Sequence, residues 1–229
     1  MNHVIRSRDR VSPELVEAFA RLDVATVHEA QEKRGAMRAT IRAVAPGVRL
    51  CGTALTVKSQ AGDNLMLHKA IDIVEPGEVL VVDVEGWEGG PWGELMTVSA
   101  QARGCAGLVI DGFVRDSAAI RSTGFPVYAR GTSIKGTFKQ ALGWVNHPIS
   151  CGGVTVRPGD LVLGDDDGVC VVAQEDAEAV LHASRAREHE ERVLLERLAA
   201  GETIWGTAGL DAVADAAGLR EEVPPVPSR

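Results

Sequence analysis

A carboxylate and an arginine–carboxylate pair occupy corresponding points of two successive loops. Glu94 follows the glycine-rich stretch GWEGGPWG, and the Arg115-Asp116 pair comes after an interval of twenty residues. Carboxylate oxygens are ligands that Mg²⁺ and Mn²⁺ prefer, and a guanidinium is a planar donor that fits a carboxylate or an enolate oxygen. The three side chains would suit a 2-oxo acid that chelates a divalent ion. They would also suit a structural role, in which the carboxylates complement helix dipoles and Arg115 pairs with one of them.

The backbone at the start of the helix after Gly93 offers further donors. The first amides of a helix have no acceptor within it, and here they belong to Glu94, Leu95 and Met96. Such amides lie at the positive end of the helix dipole and form a natural pocket for a carboxylate. The segment therefore predicts a carboxylate-binding site beside the two acidic side chains.

Asn64 and His68 form a second candidate pair, four positions apart in AGDNLMLHKA. That spacing puts both residues on one face of a helix. They would either line the distal half of a substrate or serve as a hydrogen-bonded helix start and a packed histidine. Both interpretations stay open at this point.

Other titratable groups carry weaker signals. The run Asp165-Asp166-Asp167-Gly168 lacks the alternating ligand spacing of an EF-hand loop and is typical of a turn between strands. Nothing near the lysines, Lys58 among them, would lower the pKa of a particular one. A Schiff-base mechanism is therefore not favoured.

Apolar strands that alternate with helices of about ten residues would position these side chains. Strands are predicted at 79–86, 106–111 and 125–130, with helices between them. Because the strands are apolar throughout, they indicate a parallel sheet buried on both faces, and the fold class is α/β with a parallel βαβαβ segment. Ligands bind beyond the carboxyl ends of such strands, and right-handed crossovers place consecutive strands side by side. The two loops should therefore open into one crevice.

Further elements are predicted on either side of this segment. They are a helix from Ser12-Pro13, a helix from Thr26 to Lys33 ended by Gly35, one or two strands within 48–59, a helix within 61–72, short strands within 154–173 and a long helix from Glu175 to about Ala200. The chain is expected to form a single domain over 1–220, followed by a Pro-rich disordered tail at 221–229.

Composition argues against several classes of protein. The chain has 32 acidic and 24 basic residues, and the formal net charge of −8 disfavours a nucleic-acid-binding surface. The four cysteines include no CxxC pair, so neither a disulfide scaffold nor a structural zinc site is expected. No secretory signal and no apolar run of about 18–20 residues is visible, so we expect a soluble, cytoplasmic protein that does not enter a membrane.

Two segments of the chain resemble a known family. They are WGELMTVSAQARGCAGLVIDGFVRDSAAIRSTGFPVYARGTS (92–133) and GGVTVRPGDLVLGDDDGVCVV (152–172). Together they resemble the 4-hydroxy-4-methyl-2-oxoglutarate / 4-carboxy-4-hydroxy-2-oxoadipate aldolases, a family that shares its fold with the regulator of ribonuclease activity A. The resemblance implies an αββα sandwich of the swivelling β/β/α type, assembled as a homotrimer or a dimer of trimers with active sites between subunits.

The resemblance also implies a class II, metal-dependent pyruvate aldolase. By position, the amides of Gly93 to Met96 would hold the pyruvyl carboxylate, Asp116 would bind Mg²⁺ or Mn²⁺, and Arg115 would contact the keto oxygen. Glu94 would orient a water on the metal that serves in proton transfer. The family usually has aspartate at this position, and the extra methylene of Glu94 would shift that water by about an ångström.

The implied reaction cleaves a 4-hydroxy-2-oxo acid, such as 4-hydroxy-4-methyl-2-oxoglutarate, to pyruvate and a 2-oxo acid. Cleavage leaves an enolate, and because oxaloacetate yields the same enolate when it loses CO₂, oxaloacetate decarboxylation is the expected side activity. In the family a glutamate from a neighbouring subunit can approach the site. Glu188, Glu190 and Glu191 are the candidates for that role here.

Two other functions stay open. One is a non-catalytic binding protein that resembles the ribonuclease regulator and acts through protein–protein contact. The other is the same aldolase chemistry on a different, pathway-specific substrate. In that case Trp87 and Trp92 would narrow the mouth of the pocket, although simple packing explains both side chains as well.

Overall fold

The computed structural model describes residues 3–221, so the predicted tail lies outside the described residues apart from its first residue. The strands are His3–Val4 (β1), Arg42–Ala43 (β2), Leu50–Lys58 (β3), Glu78–Asp83 (β4), Gly107–Val114 (β5), Val127–Thr132 (β6), Trp144–Val145 (β7), Ile149–Cys151 (β8), Val154–Val156 (β9), Leu161–Gly164 (β10) and Val169–Val172 (β11). The helices are Pro13–Phe19 (α1), Val24–Ala30 (α2), Leu65–Ile73 (α3), Glu94–Ala102 (α4), Ser117–Thr123 (α5), Ala177–Ala199 (α6), Ile204–Thr207 (α7) and Leu210–Ala216 (α8).

Four parallel strands form the centre of the nine-stranded sheet, in the order β3-β4-β5-β6. The helices α3, α4 and α5 make the three crossovers between them, because parallel neighbours cannot be joined by a tight turn. The predicted parallel βαβαβ segment is therefore confirmed, with one additional parallel strand before it. The short strands β8 and β9 form a separate antiparallel pair.

Both faces of the parallel strands are buried. Leu80, Val82 and Ile110 belong to the core cluster that includes the apolar side chains of α3, α4 and α5. Their neighbours Val79 and Val81 point the other way, into a cluster with Ile149 and Cys151 of β8 and Val156 of β9. Burial on both faces explains why these strands are apolar at nearly every position.

The first predicted helix begins as expected. The hydroxyl of Ser12 accepts a hydrogen bond from the amide of Leu15 at 3.3 Å, and Pro13 occupies the first turn of α1. This is the N-terminal arrangement that the pair Ser-Pro predicts, because proline has no N–H to leave unpaired.

The prediction for the second helix was wrong at both ends. α2 begins at Val24, after an extended Asp23, and it ends at Ala30 rather than at Lys33. Glu32 and Lys33 both have φ near +60°, so the backbone is left-handed there and leaves the helix early. The two-residue strands β1, β2 and β7 were not predicted, because so short a segment has no hydrophobic period to detect.

The described residues divide into two compact units between Ser184 and Arg185, within α6. The first unit contains the sheet, α1 to α5 and the start of α6. The second contains the remainder of α6 with α7 and α8, and most of its residues are exposed. The prediction of one domain over 1–220 stays a prediction. Among residues 3–221, no helix has the length and apolar character that a membrane crossing requires.

Candidate active site

The loops that follow β4 and β5 lie side by side at the carboxyl edge of the sheet. Trp92, near the end of the first loop, forms a parallel bridge with Val114, and its carbonyl accepts a hydrogen bond from the amide of Arg115 at 2.9 Å. The pairing therefore extends the sheet into the loops. It brings Glu94, at the start of α4, next to Asp116, at the start of α5.

The carboxylate of Asp116 bonds to the backbone of the neighbouring helix instead of capping its own. Asp116 has left-handed dihedrals (φ 54°, ψ 36°) and makes no side-chain cap bond to α5. Its Oδ2 accepts a hydrogen bond from the amide of Glu94 at 3.1 Å. Gly93 makes this approach possible, because a Cβ at that position would overlap Asp116 Oδ2. Aspartate tolerates a left-handed conformation better than most residues, and such conformations cluster at functional sites.

The charged ends of Glu94 and Arg115 remain available. Arg115 Nε lies 3.8 Å from Asp116 Oδ2, and the side chains of Arg115 and Asp116 are 43% and 45% exposed. Among residues 3–221, the guanidinium has no closer partner, and the carboxylate of Glu94 has none. We refer to Glu94, Arg115 and Asp116 as the open set.

Of the four amides predicted to hold a carboxylate, those of Gly93 to Met96, three have no acceptor within residues 3–221. The amide of Glu94 is engaged by Asp116, so the expectation that it also stays available does not match the geometry. The amides of Leu95 and Met96 have no acceptor among the described residues, as the first turn of a helix leads one to expect. The Leu95 side chain is exposed, whereas that of Met96 is buried in the core.

Asn64 and His68 take different positions although they are only four residues apart. Asn64 is buried, its Nδ2 donates to the carbonyl of Pro91 at 2.8 Å, and its Oδ1 has no partner among the described residues. His68 is exposed and lines a cleft of about 410 Å³ together with Leu95 and Met96. Partial burial, together with the positive charge of Lys139, lowers the pKa of His68. Asn64 therefore supports the Gly-rich loop, and only His68 faces the cleft beside α4.

The three candidate glutamates lie on α6, in the second compact unit. Glu188 and Glu190 are exposed, and Glu191 forms an ion pair with Arg187 at 2.8 Å. Their predicted role concerns a neighbouring subunit and stays a prediction.

The donor set of the open set fits Mg²⁺ or Mn²⁺. Asp116 presents a hard carboxylate oxygen to solvent, and such ions are commonly held by one or two carboxylates, with water or substrate completing the coordination. Within residues 3–221 no three or more His, Cys, Asp or Glu side chains converge in the manner of an all-protein metal cage. A cation here would therefore depend chiefly on Asp116.

A second group of charges at the same edge was missed in the sequence. Lys58, Asp83, Asp111 and Arg130 lie at or near the carboxyl ends of the four parallel strands, and the register pairs Lys58 with Asp83 and Asp83 with Asp111. Lys58 Nζ lies 2.7 Å from Asp83 Oδ2, and Arg130 Nε lies 2.5 Å from Asp111 Oδ1. We call these four residues the closed row. A charged residue after each of four apolar runs was the signal that could have revealed it.

The closed row also supports the loop that leads to Glu94. Gly86, at the start of that loop, has φ 67°, and a Cβ there would lie 2.8 Å from the guanidinium of Arg130. The Gly86 amide donates to the carbonyl of Asp111 at 3.1 Å. Burial acts to lower the pKa of Lys58, but hydrogen bonds and charges from Asp83 and Glu85 outweigh it and raise that pKa. A raised pKa is the opposite of what a Schiff-base lysine needs.

Comparison with known proteins identifies relatives. The chain matches the model of the RraA-like family, described as Aldolase/RraA, over residues 15–171. A protein of Halalkalibacterium halodurans named "Putative 4-hydroxy-4-methyl-2-oxoglutarate aldolase" is 34% identical over 179 residues, which are 78% of this chain and 85% of that protein.

Solved structures are also similar to this chain, in sequence and in fold. An uncharacterized protein from Pseudomonas syringae pv. tomato is 31% identical with a TM-score of 0.79, and the match covers 86% of this chain and 93% of that one. Streptomyces coelicolor RraAS2, described as an unusual member of the RNase ES inhibitor RraA protein family, is 30% identical with a TM-score of 0.73, covering 82% of this chain and 100% of that one. The predicted mixed α/β fold class, with the architecture of these neighbours, is confirmed.

Proposed function

The chain belongs to the RraA-like (Aldolase/RraA) family, as its resemblance predicted, and on that premise we propose that it is a divalent-metal-dependent pyruvate aldolase. Its substrate would be a 4-hydroxy-2-oxo acid such as 4-hydroxy-4-methyl-2-oxoglutarate or 4-carboxy-4-hydroxy-2-oxoadipate. The products are pyruvate and a second 2-oxo acid.

One observation carries the proposal. The Asp116 carboxylate accepts the Glu94 amide hydrogen bond, while the guanidinium of Arg115 lies 3.8 Å from that carboxylate and makes no closer contact within the described chain. An acid and a cation that are this close and yet only loosely paired are poised for a third group.

The residues of the open set suggest which of them hold the metal and the substrate. Asp116 would hold Mg²⁺ or Mn²⁺, and the free amides of Leu95 and Met96 would receive the substrate's 1-carboxylate. When bound, the cation supplies electrophilic polarisation of the 2-oxo group.

The chain's own residues then act on the reacting bond. Glu94, through a water, takes the proton of the 4-hydroxyl group, and the C3–C4 bond breaks as the new carbonyl forms at C4. The electron pair moves into the enolate of pyruvate, and the guanidinium of Arg115 donates hydrogen bonds to the enolate oxygen. The proton taken from the 4-hydroxyl group returns from Glu94 through the water to C3, which completes pyruvate and regenerates the carboxylate. Oxaloacetate gives the same enolate by losing CO₂, so decarboxylation is proposed as a side activity.

The proposal includes self-association. A homotrimer or a dimer of trimers would bring Glu188, Glu190 or Glu191 of a neighbouring subunit toward this site. The apolar side chains of Leu95, Ile134 and Phe138 support it, because they are 84%, 96% and 70% exposed in the single chain. Large apolar side chains so fully exposed are typical of surfaces that another chain covers.

A coupled pyruvate assay tests the proposed function. Purified protein would be supplied with 4-hydroxy-4-methyl-2-oxoglutarate, 4-carboxy-4-hydroxy-2-oxoadipate or oxaloacetate, with Mn²⁺ or Mg²⁺ added or after chelation. We expect pyruvate release in the presence of the metal, no pyruvate release after chelation, and renewed release when the metal is added back. Unchanged turnover after exhaustive chelation would remove the metal mechanism.

The likeness to RraAS2 favours a second candidate, a ribonuclease-regulating protein that acts by contact. The same preparation distinguishes the two. Protein that releases no pyruvate from any of the three acids, but lowers the activity of an added ribonuclease E-type enzyme, would support the regulator and contradict the aldolase.

A further inference from the structure

The peptide that joins Gly93 to Glu94 is held at both of its polar ends. Its carbonyl, on Gly93, accepts hydrogen bonds from the amide and from the hydroxyl of Thr97, each at 3.0 Å. Its N–H, on Glu94, donates to Asp116 Oδ2 at 3.1 Å. Because a peptide is planar, fixing the direction of the carbonyl also fixes the direction in which the N–H points toward Asp116.

Trp92 fixes the hydroxyl of Thr97 in turn. The indole Nε1–H donates to Thr97 Oγ1 at 2.7 Å, so the hydroxyl accepts from Trp92 and its own proton is left to bond Gly93. Both side chains are fully buried, where an unpaired polar group is costly and a completed network is rigid. Trp92 therefore does not lie at a pocket mouth, which was one of the two roles considered for it.

The same tryptophan holds the second loop through its backbone. Its carbonyl accepts the amide of Arg115 at 2.9 Å, and the residue is bridged to Val114. Trp92 thus contacts both loops of the site. Its indole acts through Thr97 on the Gly93–Glu94 peptide, and its carbonyl accepts the amide of Arg115. The chain of contacts runs from a fully buried indole to a carboxylate that is nearly half exposed.

The orientation of the Asp116 carboxylate depends on this series of contacts, because few other groups hold it. It forms no cap bond with its own helix, and Arg115 Nε is 3.8 Å away. The bond from the Glu94 amide is the one hydrogen bond that the described residues give it. A tilt of the 93–94 peptide would therefore turn the carboxylate or release it.

We propose that Trp92 and Thr97 are positioning residues, which orient the Gly93–Glu94 peptide and through it the carboxylate of Asp116 for a divalent cation. This inference rests on the proposed function, since it concerns the same site. It adds two residues that touch neither the substrate nor the metal. Their effect is expected on metal affinity and on exchange of the Glu94 amide, in addition to the loss of stability that a buried unpaired donor causes.

The test compares Thr97→Val, which keeps the shape and removes the hydroxyl, with Thr97→Ser, which retains the hydroxyl. Thr56→Val is the matched control, because Thr56 is equally buried and its hydroxyl donates to the carbonyl of His147 at 2.6 Å, away from the site. The probe is Mn²⁺ alone, titrated into metal-free protein and followed by the EPR signal of free Mn²⁺. Hydrogen exchange of the Glu94 amide, measured by NMR without metal, is the second readout.

We expect Thr97→Val to raise the Mn²⁺ dissociation constant about tenfold and to speed exchange of the Glu94 amide, with Thr97→Ser within about twofold of the parent. Thr56→Val should leave both readouts unchanged. Parent-like values in Thr97→Val, or equal losses in Thr97→Val and Thr56→Val, would overturn the positioning role. If Thr97→Val fails to fold, Trp92→Phe, which removes the indole donor together with part of the buried ring, must give the same two changes.

The outcomes keep this inference apart from the proposed function. A parent protein that releases pyruvate with Mn²⁺, combined with an unaffected Thr97→Val, overturns the positioning role and leaves the aldolase standing. A parent protein that binds no Mn²⁺ overturns both.

Discussion

Two groups of charged residues lie at the same edge of the sheet and use their charges differently. In the closed row, Arg130 and Asp111 are 2.5 Å apart and Lys58 and Asp83 are 2.7 Å apart, with the carboxylates mostly buried. In the open set, Arg115 and Asp116 are adjacent in sequence yet 3.8 Å apart and nearly half exposed. Both groups contain opposite charges, and they differ in how close those charges lie to each other.

The distances indicate which charged groups stabilise the fold. A buried pair at hydrogen-bond distance is neutralised by the fold and holds loops in place, whereas a loosely paired group contributes little to folding. Charges that the fold leaves unsatisfied beside free helix amides are the better candidates for function. Substitutions in the two groups should therefore change different properties of the protein.

The largest effect is expected for activity when Arg115 is removed from the open set. Arg115→Ala should lower kcat/KM for pyruvate release by about 10²–10³, because the enolate loses its main donor, with the free energy of unfolding changed by less than about 0.5 kcal/mol. The coupled assay and urea unfolding measure the two quantities. Arg121→Ala, an exposed arginine of α5, is the matched control and should change neither. If Arg115→Ala lowered the free energy of unfolding but kept the kcat/KM of the parent, the role of Arg115 would be structural.

The closed row should behave in the opposite way. Asp111→Asn leaves Arg130 without its charge partner and should lower the free energy of unfolding by about 2–3 kcal/mol, less than for a fully buried pair because Arg130 is 28% exposed. Activity per folded molecule should stay within a few fold. Chemical denaturation measures the loss, and Asp72→Asn, which breaks the exposed pair with Lys69, serves as the control with a much smaller expected loss. Equal losses in the two variants would contradict a stabilising closed row.

Glu94 allows an intermediate test. Glu94→Gln removes the proton-transfer group and should lower kcat by about tenfold or more at saturating metal, with little change in stability because the carboxylate has no partner among the described residues. Glu94→Asp should retain more of the activity, since it keeps the acid that the family usually has there. Steady-state kinetics with both variants measure the order. Full activity in Glu94→Gln would exclude this side chain from proton transfer.

The smallest effect concerns Lys58 and pH. Asp83 and Glu85 outweigh burial and raise the pKa of Lys58, so its contribution to stability is complete below its ordinary pKa of about 10.4 and is lost as pH rises through the higher folded value. Lys58→Met should therefore cost about 1 kcal/mol between pH 7 and 9, and the gap should close only in more alkaline solution. Thermal unfolding across that range measures the gap. A gap that widened with pH would contradict the raised pKa.

Much of the fold could be predicted because its signals are local. The apolar strands β4, β5 and β6 and the Ser12-Pro13 helix start depend on residues close in sequence. The early end of α2 at Ala30 could not be predicted, since nothing in the local pattern requires Glu32 and Lys33 to be left-handed. The parallel order of β4 to β6 followed from the need for crossovers, and it was enough to predict that the two loops meet.

Local patterns were thus sufficient to identify the open set and the α/β architecture around it, because strand ends and helix starts are encoded by nearest neighbours. Contacts between residues distant in sequence decided which charged and polar groups are paired within the fold. The carboxylate of Asp116 accepts a hydrogen bond from the amide of Glu94, 22 positions away in the sequence, and Arg130 donates to Asp111, 19 positions away. The indole of Trp92 can donate to Thr97 only when α4 has formed. Hydrogen bonds at such separations depend on where the packed sheet puts the backbone, so only the folded chain determines them.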